Sequence, residues 1–321
     1  MIWSISNSSV FRKCQRQWYY KTHVANAKAT KIPLQREIYL LSKLQSLAAW
    51  RGSVVDHVIS RRVIPALSNG WGLNLSKTLE YARSIFRAQL EFAKQHRLRE
   101  PGMSAAKAAD NFAALYGVEY GEEISDQEIA QAWNDVEQAL RNLLEMRDLL
   151  ELLGTATKLI PQRPLTFPFF GVTVRAVPDL IAFFRDETPL IVDWKVHSFG
   201  VLDYRLQLAV YAVALARCAP HKDFPPFGPI SPTAIRSLEM QLLTKKAREY
   251  TLYDVDIEEI DSYIAETATA MTLASGENGK GTPRPFDYPA AQFPEACHKC
   301  PFRAPCWEVQ SCQESRQTLF Q

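Results

Sequence analysis

The sequence predicts an α/β fold in which helices flank a mixed central sheet. Helical periodicity extends over residues 4–22, 35–60 and 74–153, whereas β-branched and aromatic residues dominate the runs LTFPFFGVTVRAV, DLIAFF and LIVDWKV. A helix at 203–219, the segments LEMQLLT and REYTLYDV in a hairpin, and a helix at 256–274 follow. This order of helix, three strands, helix and strand is typical of a sheet covered by helices.

The composition is that of an ordinary globular protein. With 47% hydrophobic residues, the 321-residue chain can bury a substantial core. The N-terminal MIWSISNSSVFRK lacks the apolar run of a signal peptide, and the most apolar later stretch, 206–219, is too short for a membrane span and contains Gln207 and Arg217. We therefore expect a soluble, cytoplasmic protein without a membrane partner.

Charge is distributed unevenly along the chain. Residues 1–62 contain eleven Lys and Arg but only two acidic residues, whereas residues 76–153 contain nine basic and fourteen acidic residues. This asymmetry favours a surface that faces a polyanion in the first region and a solvated or partner-facing surface in the second. A basic helix pair that is merely solvated is the plain alternative.

Residues 177–195, VPDLIAFFRDETPLIVDWK, place two aspartates in otherwise apolar runs. A buried carboxylate is costly unless it is paired or binds a metal. If the two runs are adjacent strands joined by RDETP, Asp179 and Asp193 converge at one end of the sheet and form an oxygen site suited to Mg²⁺ or Mn²⁺. Lys195 projects from the same face as Asp193, because the two are two residues apart. A simple ion pair of Lys195 with an aspartate is the alternative.

Pro178-Asp179 followed by Asp193-Trp194-Lys195 resembles the motif of the PD-(D/E)XK nuclease superfamily. The resemblance implies a restriction-endonuclease-like fold and hydrolysis of phosphodiesters with one or two Mg²⁺ or Mn²⁺ ions. In that reaction the metal polarises the phosphate and lowers the pKa of a bound water. Lys195 would hold that water or help to deprotonate it.

Two further motifs resemble the RecB-like branch of this superfamily. Gln207 and Tyr211 lie four apart in RLQLAVYAVAL and match Q-x-x-x-Y, whose side chains would hold the lysine or contact the substrate strand. RGSVVDHVIS resembles the Gly-plus-His helix of the branch, which makes His57 a further metal ligand. The metal ligands implied by the resemblance are His57, Asp179, Asp193 and the main-chain carbonyl of Trp194. A half-buried amphipathic helix and a packing histidine are the alternatives.

Six cysteines in an expected cytoplasmic chain indicate metal binding or plain burial, because disulfides are disfavoured there. The C-x2-C-x5-C run at the C-terminus, together with one cysteine in FRKCQRQWYY, is similar to the iron-sulfur nucleases of the superfamily, which include the CRISPR-associated exonucleases. The resemblance implies a [4Fe-4S] cluster that joins the N- and C-termini. Its ligands would be Cys14, Cys297, Cys300 and Cys306. A structural zinc or unliganded cysteines are the alternatives; Cys312 is a substitute ligand, and we expect Cys218 to be buried without a ligand.

Basic residues near the motifs are candidates for contacts with a nucleic-acid backbone. They are Arg12, Arg16, Lys21, Arg51, Arg61 and Arg62. Trp18 and Tyr20 could stack on bases, but we expect them in the core or shielding the cluster.

Four segments are expected. Residues 1–73 would form N-terminal helices of the core, 74–157 a large helical insertion, 158–275 the sheet core, and 276–321 the cluster-binding segment. The leading interpretation is a DNA exonuclease that acts on single strands or free ends in DNA repair, recombination or CRISPR-type defence. A non-catalytic nucleic-acid-binding subunit and an endonuclease or nickase are the alternatives. A helicase or a CRISPR integrase-type protein could dock on the acidic helices, whose plain interpretation is a solvated insertion.

Overall fold

The computed structural model describes residues 1–26, 28, 32–197, 204–276, 284–293 and 295–307. The chain forms two compact units, each assembled from separate segments. The first, which we call the sheet unit, comprises Met1–Ile5, Leu47–Ala88 and Ile124–Glu266. The second, the cysteine unit, comprises Ser6–Ser46, Gln89–Glu123 and Thr267–Gln321. The division into four segments that the sequence suggested stays a prediction.

Helices account for most of the described chain. The α-helices are α1 (Ile5–Lys13), α2 (Gln15–Tyr19), α3 (Pro33–Leu41), α4 (Leu47–Val58), α5 (Ile64–Ser68), α6 (Leu75–Lys94), α7 (Ala105–Ala108), α8 (Tyr116–Glu119), α9 (Asp126–Glu145), α10 (Arg147–Gly154), α11 (Arg205–Arg217), α12 (Asp254–Ala274) and α13 (Glu295–His298). Two π-helical turns, Tyr20–Val24 and Ile59–Val63, follow α2 and α4.

The strands form two sheets within the sheet unit. They are β1 (Ile2–Trp3), β2 (Lys158–Pro161), β3 (Leu165–Phe169), β4 (Val172–Ala176), β5 (Leu180–Phe183), β6 (Leu190–Lys195), β7 (Arg236–Gln241) and β8 (Lys246–Tyr250). A five-stranded sheet has the order β2-β5-β6-β7-β8, and a three-stranded sheet has the order β1-β4-β3. In the larger sheet β6 and β7 are parallel and the other neighbours are antiparallel. The predicted mixed α/β fold is confirmed, with two sheets in place of one.

Strands β5 and β6 are the most enclosed part of the larger sheet. The β6 residues from Leu190 to Trp194 are all buried, as is every residue of β5. Helix α11 contacts β6 and β7 and buries the continuous stretch from Leu208 to Leu215. Because apolar groups cover both faces, the two strands read as uninterrupted hydrophobic runs rather than as an alternating pattern.

Strands β1 and β2 were not predicted. Each is short, and each is defined by pairing with a distant partner: β1 with β4, and Leu159 of β2 with Ala182 of β5. A four-residue segment that ends in Pro161 has too little periodicity to reveal a strand, and Pro at a strand end is compatible with a sheet edge. Pairing with distant strands, rather than a local sequence pattern, therefore makes these two segments strands.

Helix α4 carries the Gly-plus-His motif with His57, and its packing sets the position of that motif. Helix α4 packs against α9. It also contacts α6, where the ring of Phe86 lies 4.4 Å from that of Trp50, centroid to centroid. Helix α4 continues through the π-helical turn into α5, where Pro65 lacks the N–H that a regular α-helical ladder would require. The segment is therefore a continuous series of helical turns anchored by aromatic packing.

The cysteine unit is organised around an aromatic core. Trp18 and Tyr20 are buried, which confirms the expectation that they are core residues. The ring of Tyr19 stacks on Tyr288 with 4.5 Å between centroids, and Tyr20 packs against Phe302 at 5.6 Å. These contacts connect the N-terminal helices with residues before and within the cysteine run. No helix within the described ranges is long and apolar enough to cross a membrane.

A buried amide joins α9 to the residues that follow β7. Asn142 Nδ2 donates to the carbonyls of Leu242 and Leu243 at 2.7 and 3.1 Å, and its Oδ1 accepts from Gln138. Asn142→Leu leaves those carbonyls without their donor, so we expect a loss of about 1–3 kcal/mol in the free energy of unfolding. Urea denaturation measures it, with the exposed Gln127→Leu on the same helix as the control. Equal stability of the two variants would contradict the assignment.

Candidate active site

The first candidate aspartate is fixed by the edge of the five-stranded sheet. Asp179 directly precedes β5, and its Oδ2 accepts a hydrogen bond from the main-chain N–H of Trp194 at 2.9 Å. Gln162, just after β2, donates from Nε2 to Asp179 Oδ1 at 3.1 Å. The antiparallel pairing of β5 with β6 thus holds the Asp179 carboxyl group against the strand that carries the second aspartate.

Asp193 and Lys195 lie on one face of β6 and contact each other. Lys195 Nζ lies 2.5 Å from Asp193 Oδ2, and the two side chains are 14% and 1% exposed. Nζ also lies over the ring of Tyr204, 4.2 Å from its centroid. The ion pair that remained an alternative is therefore present. It does not explain the other carboxylates around it.

Asp56, on α4, is a third carboxylate of this cluster and was not predicted. Its charge interacts with both Asp193 and Lys195, and Asp179 in turn interacts with Asp56. A signal existed in the sequence: Asp56 is one of only two acidic residues among the first 62, and it directly precedes His57. Local spacing did not reveal it, because α4 is far from β5 and β6 along the chain.

The three carboxylates have strongly raised pKa values. Burial is the main cause, and the neighbouring carboxylate adds to it, so that the pKa values of Asp56, Asp179 and Asp193 all rise to about 7. Burial alone would lower the pKa of Lys195, but Asp193 and Asp179 more than offset this, so its pKa is raised. The cluster thus contains more potential negative charge than its single lysine can neutralise.

Gln207 and Tyr211 lie on the same face of α11, as predicted. Gln207 Nε2 donates to Asp193 Oδ1 at 3.2 Å and to the hydroxyl of Tyr211 at 2.5 Å. Tyr211 is buried, which raises the pKa of its hydroxyl. The amide therefore contacts Asp193; the roles that the motif implies, holding Lys195 or contacting the substrate strand, stay predictions.

His57 lies beside this cluster on α4. Its Nε2 is 3.0 Å from the hydroxyl of Tyr81, and the two rings are stacked with 6.0 Å between centroids. His57 and Asp56 line a common pocket of about 470 Å³ with Arg61 and Gln162. Tyr81 is a contact that the sequence did not predict, and the role of His57 as a metal ligand stays a prediction.

The donor chemistry of the cluster fits a hard divalent cation. Across the residues that the structure describes, no three His, Cys, Asp or Glu side chains are placed so that they could hold a metal ion together. Mg²⁺, however, commonly binds through one or two carboxylates and completes its shell with water and substrate phosphate. Asp179 and Asp193 lie within hydrogen-bonding reach of each other, and Asp193 Oδ2 also lies 2.5 Å from Lys195 Nζ. These two carboxyl groups are therefore close enough to share an ion.

The basic candidates of the sheet unit differ in availability. Arg51 forms an ion pair with Asp135 and donates from Nε to the carbonyl of Val196 at 3.2 Å. Arg61 and Arg62 are exposed on the π-helical turn that follows α4. Arg61 lines the same pocket as Asp56, so it is a basic candidate beside the carboxylates.

The basic candidates of the cysteine unit differ likewise. Arg12 is exposed, and Lys21 is half-buried, with a pKa that burial lowers. Arg16 is only 8% exposed, and its Nε donates to the carbonyls of Pro285 and Tyr288 at 3.1 and 3.2 Å. Its buried position serves the packing of the unit and gives no support to a contact with nucleic acid, which stays a prediction.

The four predicted thiol ligands come together in the cysteine unit. A cavity of about 40 Å³ is lined by Cys14, Cys297, Cys300 and Cys306. All four are free thiols, as is the half-buried Cys218. Cys306 Sγ accepts from Arg16 Nη1 at 3.7 Å, and Cys14 Sγ accepts from the N–H of Gln17 at 3.4 Å. Cys312 lies outside the described residues.

The fold and the site define an α/β protein whose mixed sheet presents buried carboxylates and a lysine beside one another. The model of the PD-(D/E)XK nuclease superfamily matches residues 2–307, so the chain belongs to this superfamily. Its members typically use divalent ions such as Mg²⁺ or Mn²⁺. No curated protein matches the chain significantly.

Two solved structures are similar over much of the chain. One is a protein from Eubacterium rectale named "Putative exonuclease", with 12% identity and a TM-score of 0.36; the match covers 85% of this chain and 93% of that one. The other is the crystal structure of SSO0001, with 12% identity and a TM-score of 0.31; it covers 69% of this chain and 96% of that one.

Neutralising Asp56 should change the pH dependence of stability. A carboxyl group with a folded pKa of about 7 and an unfolded value near 3.8 binds its proton more tightly in the folded state. The metal-free protein should therefore lose stability as pH rises through this interval, and the loss should be complete above about pH 7. Asp56→Asn should stabilise it by about 2 kcal/mol at about pH 8, and by almost nothing at about pH 4.

Chemical denaturation of the metal-free protein at both pH values measures this effect. Glu258→Gln, an exposed change on α12, is the matched control. A destabilised Asp56→Asn variant at the higher pH would show that Asp56 does not repel the other carboxylates.

Proposed function

We propose that the protein is a metal-dependent DNA nuclease, in particular an exonuclease that acts on single strands or free DNA ends. The observation that carries the proposal is the meeting of Asp179, Asp193 and Lys195 at one edge of the sheet in a member of a nuclease superfamily. Two carboxylates and a cation are the groups that metal-assisted hydrolysis of a phosphodiester requires.

Asp179 and Asp193 would hold the ion, with Asp56 and His57 beside them. A bound Mg²⁺ or Mn²⁺ supplies Lewis-acid polarisation of the phosphate and lowers the pKa of a coordinated water. Lys195 places its positive charge where a phosphate oxygen or the attacking water can bind, and this charge stabilises the additional negative charge at phosphorus. The main-chain carbonyl of Trp194 would complete the ligand set.

Gln207 acts on the orientation of Asp193. Its amide bridges Asp193 Oδ1 and the hydroxyl of Tyr211, so the carboxyl group has one oxygen fixed and the other directed toward Lys195. A carboxylate held in this way needs little reorganisation when an ion binds. Release of the 3′ oxygen and formation of a 5′-phosphate end is the outcome that the superfamily chemistry implies.

The proposal also includes a [4Fe-4S] cluster held by Cys14, Cys297, Cys300 and Cys306. Its support is the common cavity that the four thiols line and the absence of a disulfide among them. The hydrogen bonds to Cys14 and Cys306 would stabilise thiolate sulfur. Ligation would draw the sulfur atoms together around the group and fasten the N-terminal helices to the C-terminal segment of the unit.

Cleavage by the purified protein tests the proposed activity. Linear single-stranded DNA should be degraded when Mg²⁺ or Mn²⁺ is added and remain intact in EDTA. Asp193→Asn and Lys195→Ala should each lower the cleavage rate by roughly 10²–10³-fold or more, because each removes a charge that contacts the reacting groups. Labelled oligonucleotides resolved on denaturing gels give the rates.

Asp186→Asn is the matched control, since Asp186 is exposed in the turn between β5 and β6. Circular DNA, offered both as a single strand and as a covalently closed duplex, distinguishes the exonuclease from an endonuclease or nickase, because only the latter two cut molecules without ends. If the wild-type chain binds DNA but never cleaves it with either ion, the enzyme proposal fails in favour of a non-catalytic binding subunit.

Metal analysis after anaerobic purification tests the cluster. We expect about four iron and about four sulfide per chain with visible absorption, and Cys300→Ser should lose both and unfold at lower temperature. Cys218→Ser is the control, because Cys218 lies outside the thiol cavity and its Sγ donates to the carbonyl of Leu215 at 3.5 Å. One zinc per chain and no iron would contradict the cluster and indicate a structural zinc site instead.

A further inference from the structure

A second groove lies beside the pocket of Asp56 and His57 in the sheet unit. Its volume is about 670 Å³, and its lining includes three cations, Arg61, Arg62 and Lys77, and one acid, Glu80. We call this the outer groove. It is formed by the π-helical turn, α5, the following loop and α6, and so by residues that carry none of the nuclease motifs.

The outer groove adjoins the pocket beside the carboxylates. Arg61 lines both, and Tyr81 connects them: its hydroxyl lies 3.0 Å from His57 Nε2, and the guanidinium of Arg62 lies 4.3 Å above its ring. A chain-like ligand that reached the carboxylates could therefore extend along α6 and meet one cation after another. Three cations against one acid favour an anionic ligand.

An exposed tryptophan lies in the same groove. Trp71 is 65% exposed although it is a large apolar side chain. Its backbone is nevertheless held, because its N–H donates to the carbonyl of Ala66 at 2.8 Å and the preceding Gly70 ends α5 with a φ of +65°. A fixed backbone with an uncovered indole ring is an arrangement that suits stacking.

We propose that the outer groove binds an unpaired DNA strand as it approaches or leaves the catalytic carboxylates, with one base stacked on Trp71 and its phosphates against Arg61, Arg62 and Lys77. This inference rests on the proposed nuclease function and adds a surface outside the catalytic site that would hold the strand. Aromatic rings and cations in alternation are the features by which proteins bind single strands without reading their sequence.

Duplex DNA fits the groove less well. In a duplex each base is already stacked and paired, so contact with an indole ring would require a base to be extruded at a cost of a few kcal/mol. A single strand offers free π-faces and can bend along a surface built from a helix turn and a loop. Trp71 should therefore contribute to binding of single strands and contribute little to binding of duplexes.

Equilibrium binding in EDTA tests the proposal, because the metal-free protein cannot cleave by the proposed mechanism. The probe is a fluorescein-labelled oligodeoxythymidylate of about 12 nucleotides, and a blunt duplex of similar length is the comparison. Trp71→Ala should weaken binding of the single strand about tenfold and that of the duplex hardly at all. Trp71→Phe, which keeps an aromatic ring, should restore most of the affinity.

Three further variants and a folding measurement distinguish stacking on Trp71 from effects of charge and of folding. Tyr253→Ala removes another exposed aromatic ring outside the groove and should bind as the wild type does. Arg62→Gln and Lys77→Gln should each reduce the slope of log affinity against log salt by about 0.7, the value for one phosphate contact on a single strand. Thermal unfolding of each variant verifies that the fold is kept.

Unchanged single-strand affinity of Trp71→Ala, or an equal loss for the duplex, would overturn the proposal. Its failure differs from failure of the proposed function. If the wild-type chain cleaves with Mn²⁺ but Trp71→Ala binds single strands normally, the nuclease proposal stands and the groove proposal is wrong. If the chain binds single strands through Trp71 but never cleaves, the groove proposal stands and the nuclease proposal is wrong.

Discussion

The pairing of Lys195 with Asp193 inside a buried strand is the constraint on which the sheet unit depends. An ionised carboxylate that is 1% exposed would cost several kcal/mol without a partner. Lys195 and the amide of Gln207 both contact the Asp193 carboxyl group. The register of β6 and the orientation of α11 must therefore keep these polar groups together within an apolar layer. Asp179, bonded to the main chain of β6, extends the same arrangement.

One lysine does not neutralise three carboxylates. Burial and mutual repulsion raise the pKa values of Asp56, Asp179 and Asp193 to about 7, which means that the ion-free site is electrostatically unfavourable when all three are ionised. A divalent cation removes this repulsion. In the proposed site, instability of the ion-free carboxylates and affinity for a divalent ion would be two consequences of one charge arrangement.

Sequence patterns predicted the parts of the site whose spacing is local. Asp193 and Lys195 are two residues apart in one strand, and Gln207 and Tyr211 are one helical turn apart. Periodicity alone therefore places each pair on a common face. Strand β2, Asp56 and the contact of His57 with Tyr81 depend on how distant segments pack, which no local period records. Arg16 shows a related limit: counting charge does not distinguish a buried arginine that binds carbonyls from an exposed one.

The central claim is that Asp179 and Asp193 share a divalent ion. Calorimetric titration of the protein with Mn²⁺ in buffers of different ionisation enthalpy tests it most directly, because ion binding must displace protons from carboxyl groups that are partly protonated at about pH 7. We expect saturable binding with proton release at about pH 7, release that disappears at about pH 9, and loss of binding in Asp179→Asn and Asp193→Asn. Undiminished Mn²⁺ binding by both variants would contradict the claim.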